Sequence, residues 1–342
     1  MNKGEKDKMK VAINGFGRIG RIALRLLEND KDLEVVAVNS RGTSEELAYL
    51  YKYDTAHRTS KSKISFDEDS MIINGKHIKV FAEDDPSVLP WKELGIDIVL
   101  ECTGVFTTKE ACKAHINAGA KHVLISAPAK DECKTIVYGV NEEILSLDDD
   151  IISCASCTTN CLAPVLKLIN DKYKIVKGFM TTVHAMTNDQ MVLDVRHKKG
   201  IRARRGRSAS QNIIPTSTGA AKSIGKVIPE LKGKLDGLAL RVPVCDGSVV
   251  DLSVEIEKNT TIENVNNTFK SNQSKTLKYT EDPIVSSDII GDDCGALVDG
   301  LLTNIIEENG KQILKVIAWY DNELGYTAQM LRVARLFTKK NN

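Results

Sequence analysis

Short apolar runs alternate with helix-like segments over the first half of the chain. Residues 10–14 (KVAIN) read as a buried strand that ends in GFGRIG, and a helical pattern follows to about Asn29. Residues 34–38 (EVVAV), 96–101 (IDIVLE) and 122–126 (HVLIS) predict three more strands, with a helix over 109–118 ahead of the last. Strands alternating with helices predict a parallel α/β sheet. Ile73-Asn74-Gly75-Lys76 reads as a hairpin turn inserted into it.

The pattern changes after about residue 157. A helix is predicted over 161–171, followed by long alternating runs at 175–184, 238–244, 248–256, 296–306 and 312–321. Their length and alternation predict a mostly antiparallel sheet. Glu308-Asn309-Gly310 marks a hairpin turn, and a last helix covers 324–338. The expected organisation is therefore α/β: a parallel α/β domain (1–156) precedes a mixed α+β domain (157–321), and a helical end (322–342) follows.

Composition narrows the class without changing this picture. The 342 residues are enough for two domains at about 150 residues each. Hydrophobic residues are 42% and charged residues 27%, the balance of a soluble globular protein. No run approaches the roughly 18 apolar residues of a membrane span. The start, MNKGEKDKMK, lacks the apolar stretch of a secretory signal and reads as a frayed tail ahead of the first strand. A cytoplasmic location is expected, with the eight cysteines free. A formal net charge of +1 gives no global field toward nucleic acid or membrane.

Gly15-Phe16-Gly17-Arg18-Ile19-Gly20 follows a strand and opens a helix, the context a G-x-G-x-x-G dinucleotide fingerprint requires. Glycines permit a tight turn and close approach of a pyrophosphate, which the helix N-terminus then holds. Any tight strand-to-helix turn uses glycine in the same way. At the end of the second strand an acid would bind the ribose of NAD, but Ser40-Arg41 stand there. A hydroxyl and a guanidinium suit a 2′-phosphate, so the residues favour NADP, with NAD the alternative. Arg41 as a solvated loop residue is the plainer explanation.

Ser156-Cys157-Thr158-Thr159-Asn160 sits between the parallel half and a helix. A cysteine at a helix N-terminus is expected to have a lowered pKa and to be nucleophilic. Of six histidines, His184 is the best placed as its base, at the end of a strand and before the turn Thr187-Asn188-Asp189-Gln190. Spacing alone leaves open a structural cysteine and a core histidine.

GFGRIG, SCTTNC, TTVHAMTNDQ, NIIPTSTGAAK, LRVP and WYDNELGY occur in this order. Together they resemble the phosphorylating glyceraldehyde-3-phosphate dehydrogenases, from about Lys10 to the C-terminus. The resemblance implies a Rossmann dinucleotide-binding domain (1–156), a catalytic domain (157–321), a C-terminal helix (322–342) that packs back on the first domain, and a homotetramer acting on glyceraldehyde 3-phosphate and inorganic phosphate. It makes Cys157 the nucleophile and His184 the base. It assigns Thr187, Asp189 and Arg241 to the substrate phosphate. To the attacking phosphate it assigns Ser156, Thr158, Thr218, Gly219 and a loop arginine, Arg207 by counting back from NIIP, or else Arg204. It gives Asn322 the nicotinamide carboxamide, and Arg18, Ile19, Thr103, Phe106 and Ser126 the rest of the cofactor, Phe106 being equally suited to plain core. No metal is implied.

The chain departs from the pattern in three places. Ser40 replaces the ribose-binding Asp of NAD-specific members. Val195-Arg196 replaces Leu-Pro in a loop that reaches a neighbouring subunit's cofactor, and Arg196 again favours a 2′-phosphate. Cys154 replaces Asn and creates Cys154-x-x-Cys157, which reads either as a space-filling thiol or as half of a redox pair. Erythrose-4-phosphate dehydrogenase is the nearest rival, and Thr216-Ser217-Thr218-Gly219 argues for the phosphorylating enzyme. A surface adhesin or RNA-binding protein is the rival of another class. The basic run 196–207 lacks the interleaved aromatics that stack on bases.

Overall fold

The first strand, β1 (Met9–Asn14), is apolar enough to be covered on both faces, and Val11, Ala12 and Ile13 are fully buried. The computed structural model describes residues 8–340, so the tail read at the start lies, through residue 7, outside the described residues. Two compact units divide the chain. One takes the described residues through Ile136, Glu142–Ala155 and the chain from Met330 on; the other takes Val137–Asn141 and Ser156–Gln329.

In the first unit β1 is followed by α1 (Arg18–Leu27), β2 (Leu33–Asn39), α2 (Ser44–Lys52), β3 (Ile64–Phe66), β4 (Ser70–Ile73) and β5 (Lys76–Phe81). Then come α3 (Trp91–Leu94), β6 (Ile98–Glu101), α4 (Lys109–Asn117), β7 (His122–Ile125) and β8 (Ile151–Ser153). The sheet order is β3-β4-β5-β2-β1-β6-β7-β8. Strands β5 to β8 in that order pair in parallel, while β3, β4 and β5 form antiparallel hairpins at one edge. The turn between β4 and β5 has Asn74 at φ 51° and Gly75 at φ 83°, the left-handed pair a two-residue hairpin needs. Strand order reverses between β1 and β6, and ligands bind beyond the carboxyl ends of strands at such a point. Trp91, Val99, Cys112 and Val123 belong to the core packed on this sheet.

The second unit opens with α5 (Cys157–Tyr173), β9 (Ile175–Ala185), β10 (Ile214–Ser217), α6 (Ala220–Val227), β11 (Leu235–Val242) and β12 (Ser248–Ile256). It continues with α7 (Ile262–Ser271), β13 (Leu277–Thr280), β14 (Ala296–Glu308), β15 (Lys311–Tyr320) and the start of α8 (Leu324–Lys340), whose remainder belongs to the first unit. Its sheet order is β10-β11-β9-β12-β15-β14-β13. The central pairs are antiparallel, but β9 with β11 and β13 with β14 run parallel. Strand β12 alternates buried and half-buried positions along its whole length, as a sheet with one covered face requires.

Three differences from the sequence pattern have physical causes. Helix α5 begins four residues earlier than its apolar pattern, because Ser156 caps it and polar Thr158, Thr159 and Asn160 are buried in its first turn. Helices α2, α6 and α7 are short, with eight to ten residues each, so any apolar stripe spans only two or three turns. Strands β10 and β13 have only four residues each, too few for an alternation to show.

Candidate active site

The site in the second unit is built where α5 meets β9 and β11. Ala155 holds a left-handed φ of 59° while fully buried, a strained conformation of the kind kept at functional sites. Ser156 follows as the cap of α5, its Oγ accepting the Thr159 N–H at 3.1 Å. Cys157 is thus the first residue of the helix, and its Sγ lies 3.4 Å from Nε2 of His184. His184 sits near the end of β9, directly opposite Arg241 of β11 in the parallel register. Arg241 Nη1 reaches His184 Nδ1 at 2.7 Å and the Ala185 carbonyl at 3.0 Å. Nδ1 is also 2.8 Å from that carbonyl.

Tyr320 closes the bottom of the site. Its hydroxyl meets Thr158 Oγ1 at 2.9 Å and Thr182 Oγ1 at 2.8 Å, and its ring stands edge-on to His184. Thr158 is therefore buried against Tyr320. Tyr320 lies inside the WYDNELGY motif, yet nothing in the spacing sets it apart from a core aromatic.

The electrostatics correct one expectation. Helix position alone points to a lowered thiol pKa at Cys157, but burial pushes this thiol up. Arg241, together with hydrogen bonds from Thr158 and the helix backbone, works in the opposite direction without winning. Burial and the positive charges of Arg241 and Arg205 hold His184 far below the usual imidazole range, at about 3. At neutral pH the pair is a thiol facing a neutral imidazole, so the imidazole is free to accept a proton.

The residues expected at the two phosphate positions come out unevenly. Arg241 is half-buried, and its Nε is buried with no hydrogen-bond partner among the described residues. Thr187 is exposed, with its N–H held by Gln190 Oε1. Asp189 is an anchor for cations: Arg205 Nη1 lies at 2.5 Å and Lys198 Nζ at 2.8 Å. Burial pulls the Asp189 carboxyl up, but these two cations outweigh it and hold it at about 2. Thr218 accepts the Ala220 N–H, and Gly219 stands as the uncapped start of α6 with open space where a Cβ would go.

The loop arginines differ in their surroundings. Arg207 is 64% exposed and pairs with Asp194, and Arg204 is exposed. The inward arginine is Arg205, which donates to Asp189 and to Thr216 Oγ1 and bears electrostatically on His184 and Arg241. Gly206 separates the two arginines, and a Cβ there would lie 2.5 Å from the Val195 carbonyl. An acid in the polar turn 187–190 calls for a cation in the loop, but the sequence does not say which of the loop's basic residues answers it. Arg196, in the same loop, is exposed.

In the first unit the three fingerprint glycines have separate duties. A Cβ on Gly15 (φ 96°) would lie 2.6 Å from the Thr103 backbone nitrogen, and one on Gly20 would meet the Gly15 carbonyl at 2.2 Å. Gly17 has nothing within 4 Å and starts α1 with no side-chain cap, leaving the helix N–H groups open to an anion. That is a cradle with the shape and donors a pyrophosphate needs. Phe16 is core, stacked on Tyr51. Arg18 is committed through both Nη atoms to Asp54, which leaves backbone rather than guanidinium for a ligand. Ile19 is half-buried, Phe106 stands edge-on to His115, and the Ser126 N–H is bound to the Glu101 carbonyl. Exposed Thr103 begins a loop fixed by buried Glu101, which accepts from the Thr103 N–H at 2.8 Å. Ser40 is half-buried, while exposed Arg41 pairs with exposed Asp84 at 3.0 Å. Cys154 is buried, and its burial beside Cys102 and Cys133 raises its thiol pKa.

Comparison with known proteins agrees with both halves. Residues 9–109 match the NAD binding domain of glyceraldehyde 3-phosphate dehydrogenase, and residues 156–322 match its C-terminal domain. The chain is 54% identical to the glyceraldehyde-3-phosphate dehydrogenases of Clostridium pasteurianum and Clostridium acetobutylicum, over 330 residues in each case, 96% of this chain and 98% of theirs. It is 49% identical to that of Streptococcus pyogenes over 332 residues, 97% of this chain and 98% of the relative. The family models match both units and the relatives match nearly the full length, so the chain belongs to the glyceraldehyde-3-phosphate dehydrogenase family.

Proposed function

We propose that the chain oxidises D-glyceraldehyde 3-phosphate with inorganic phosphate to 1,3-bisphosphoglycerate, reversibly, through a thioester on Cys157. The observation that carries this reading is the 3.4 Å contact between Cys157 and His184 with Arg241 beside it and Arg205 bearing on it. The nicotinamide dinucleotide, when bound, accepts the hydride. Gly15, Gly17 and Gly20 with the start of α1 would hold its pyrophosphate, and Asn322 would orient its carboxamide.

Cys157 Sγ forms the bond to the aldehyde carbon and gives up its proton as it does so. Nε2 of His184 relays this proton to the aldehyde oxygen, giving a hemithioacetal, and in the hydride step accepts the hydroxyl proton; this requires Nδ1 to carry its own proton toward the Ala185 carbonyl, with the Arg241 Nη1–H aimed at that carbonyl rather than at Nδ1. Anions arriving at Arg241 and Arg205 offset the charge that depresses His184, so the base strengthens when the site is loaded. Arg241 with Thr187 receives the substrate phosphate. Ser156, Thr158, Thr218 and Gly219 receive the attacking phosphate with Arg205, held in place by Asp189. Phosphate oxygen then bonds to the thioester carbon and the sulfur leaves, with protonated His184 returning a proton.

The cofactor is read as NADP in preference to NAD. In support, Ser40 rather than an acid directly follows β2, and Arg41 is exposed beside it. Homotetramer assembly follows the resemblance, and the exposed Val192, Leu193 and Ile201 of the loop after β9 are apolar surface suited to cover by another subunit. Light scattering on the eluting protein tests it.

Steady-state rates with NAD+ and NADP+, with and without phosphate, test the whole reading. Turnover is expected to require phosphate, and replacing glyceraldehyde 3-phosphate by erythrose 4-phosphate should lower kcat/KM. Phosphate-independent turnover removes the proposed reaction. A kcat/KM at least tenfold higher with NAD+ removes only the NADP preference.

A further inference from the structure

We infer that Ser248 is a positioning residue for hydride transfer: its hydroxyl fixes which way the Asn322 amide faces, and so which way a bound nicotinamide carboxamide is held. The inference rests on the reading of Asn322 as the carboxamide's partner.

Ser248 opens β12 and is 1% exposed; Asn322 lies just beyond β15 and is 5% exposed. The Ser248 hydroxyl donates to Asn322 Oδ1 at 2.5 Å, and its oxygen accepts the Ala185 N–H at 3.0 Å. A serine hydroxyl has one proton to give. Because the Ala185 N–H already supplies a donor to Oγ, that proton is free for the amide oxygen. Turning the amide over would aim Nδ2 at Oγ. The buried hydroxyl proton would then face a donor and lose its acceptor. Ser248 therefore selects one of the two amide orientations.

The selected orientation leaves Asn322 Nδ2 without a hydrogen-bond partner among the described residues, a donor presented by a nearly buried side chain. Such a group takes a carbonyl oxygen and discriminates against an amino group at the same place. A nicotinamide ring turned over about its glycosidic bond presents its other face and offers its carboxamide elsewhere. The same serine also anchors the base, since the Ala185 carbonyl faces His184 Nδ1 at 2.8 Å. One hydroxyl thus ties the orientation of the hydride acceptor to the backbone that carries the proton acceptor.

The test compares equilibrium binding of NAD+ or NADP+ with that of ADP-ribose, which has no nicotinamide, in the full-length chain. Ser248→Ala is expected to weaken the dinucleotide about tenfold, the loss of one oriented hydrogen bond, and to leave ADP-ribose unchanged. Ser248→Thr, which keeps the hydroxyl, should bind the dinucleotide as the parent does. With deuterium at nicotinamide C4, Ser248→Ala should deliver it from both faces where the parent uses one. Equal weakening of dinucleotide and ADP-ribose, or a threonine variant as weak as alanine, overturns the inference. Asn322→Ala separates the two layers. If it weakens dinucleotide binding while Ser248→Ala does not, Ser248 is excluded and Asn322 stands. If it changes nothing, the Asn322 reading falls first. Should Ser248→Ala not fold, Ser248→Cys offers a feebler donor of similar size, and parent-like affinity there also overturns it.

Discussion

At the scale of single residues, the chemistry turns on which influence wins at Cys157. Burial raises the thiol, and among the groups that lower it Arg241 ranks first. For His184 the order differs: burial itself is the largest cause of its depression and Arg241 the second. Removing Arg241 therefore costs the thiolate its main support, while His184 stays depressed by burial. Alkylation by iodoacetamide follows the thiolate, so Arg241→Gln should shift the pH profile of Cys157 alkylation to higher pH and slow it at pH 7. An unchanged profile, measured by mass mapping of the Cys157 peptide, would refute this account. Cys157 and His184 were legible because a motif surrounds each. Arg205 was not, because a loop rich in arginine carries no period, and only the ion pair with Asp189 distinguishes it from Arg207.

At the scale of elements, caps and turns carry information that apolar periodicity lacks. Ser156 caps α5 and Thr261 caps α7 by the same geometry, each side chain accepting the N–H three residues on. Replacing either with alanine should cost about 1 kcal/mol of stability by denaturant titration. The two should differ in function. Thr261→Ala leaves turnover intact, whereas Ser156→Ala frees the turn that holds Cys157 and lowers kcat. Equal effects on kcat would mean that the cap does not position the nucleophile. The same logic explains what the sequence hid. α2 has the capping box Thr43-x-x-Glu46 but only nine residues, and α6 begins at Gly219 with no side-chain cap. The long strands were legible by length, nine residues or more in β12, β14 and β15, and in β12 by an alternation that runs its whole length. The parallel pairing of β9 with β11 was not, since alternation reports a strand's faces and says nothing of its neighbours.

At the scale of the molecule, the first unit is discontinuous: its sheet is complete by β8, yet residues from Met330 on belong to it. Arg335 in α8 binds the Asp30 carboxylate through Nε and Nη2, and the Phe337 ring lies 4.2 Å from that of His122 in β7. Leu331, Val333 and Phe337 are at most 1% exposed. Burying three such side chains stabilises by roughly 1.5–3 kcal/mol each. The sum is of the order of a domain's whole stability, about 5–15 kcal/mol. A chain ended after Gln329 should therefore lose cooperative unfolding and dinucleotide binding together, although every residue of the glycine cradle is still present. Arg335→Ala, which removes a charge-assisted pair and keeps the apolar contacts, should cost only about 2 kcal/mol and retain binding. Circular dichroism melts and dinucleotide titration of both variants distinguish the cases. If the shortened chain melts cooperatively and binds as the parent does, the helix end is dispensable and the first unit is self-sufficient by β8. If Arg335→Ala is as damaging as truncation, the ion pair rather than the apolar side chains holds the helix end in place.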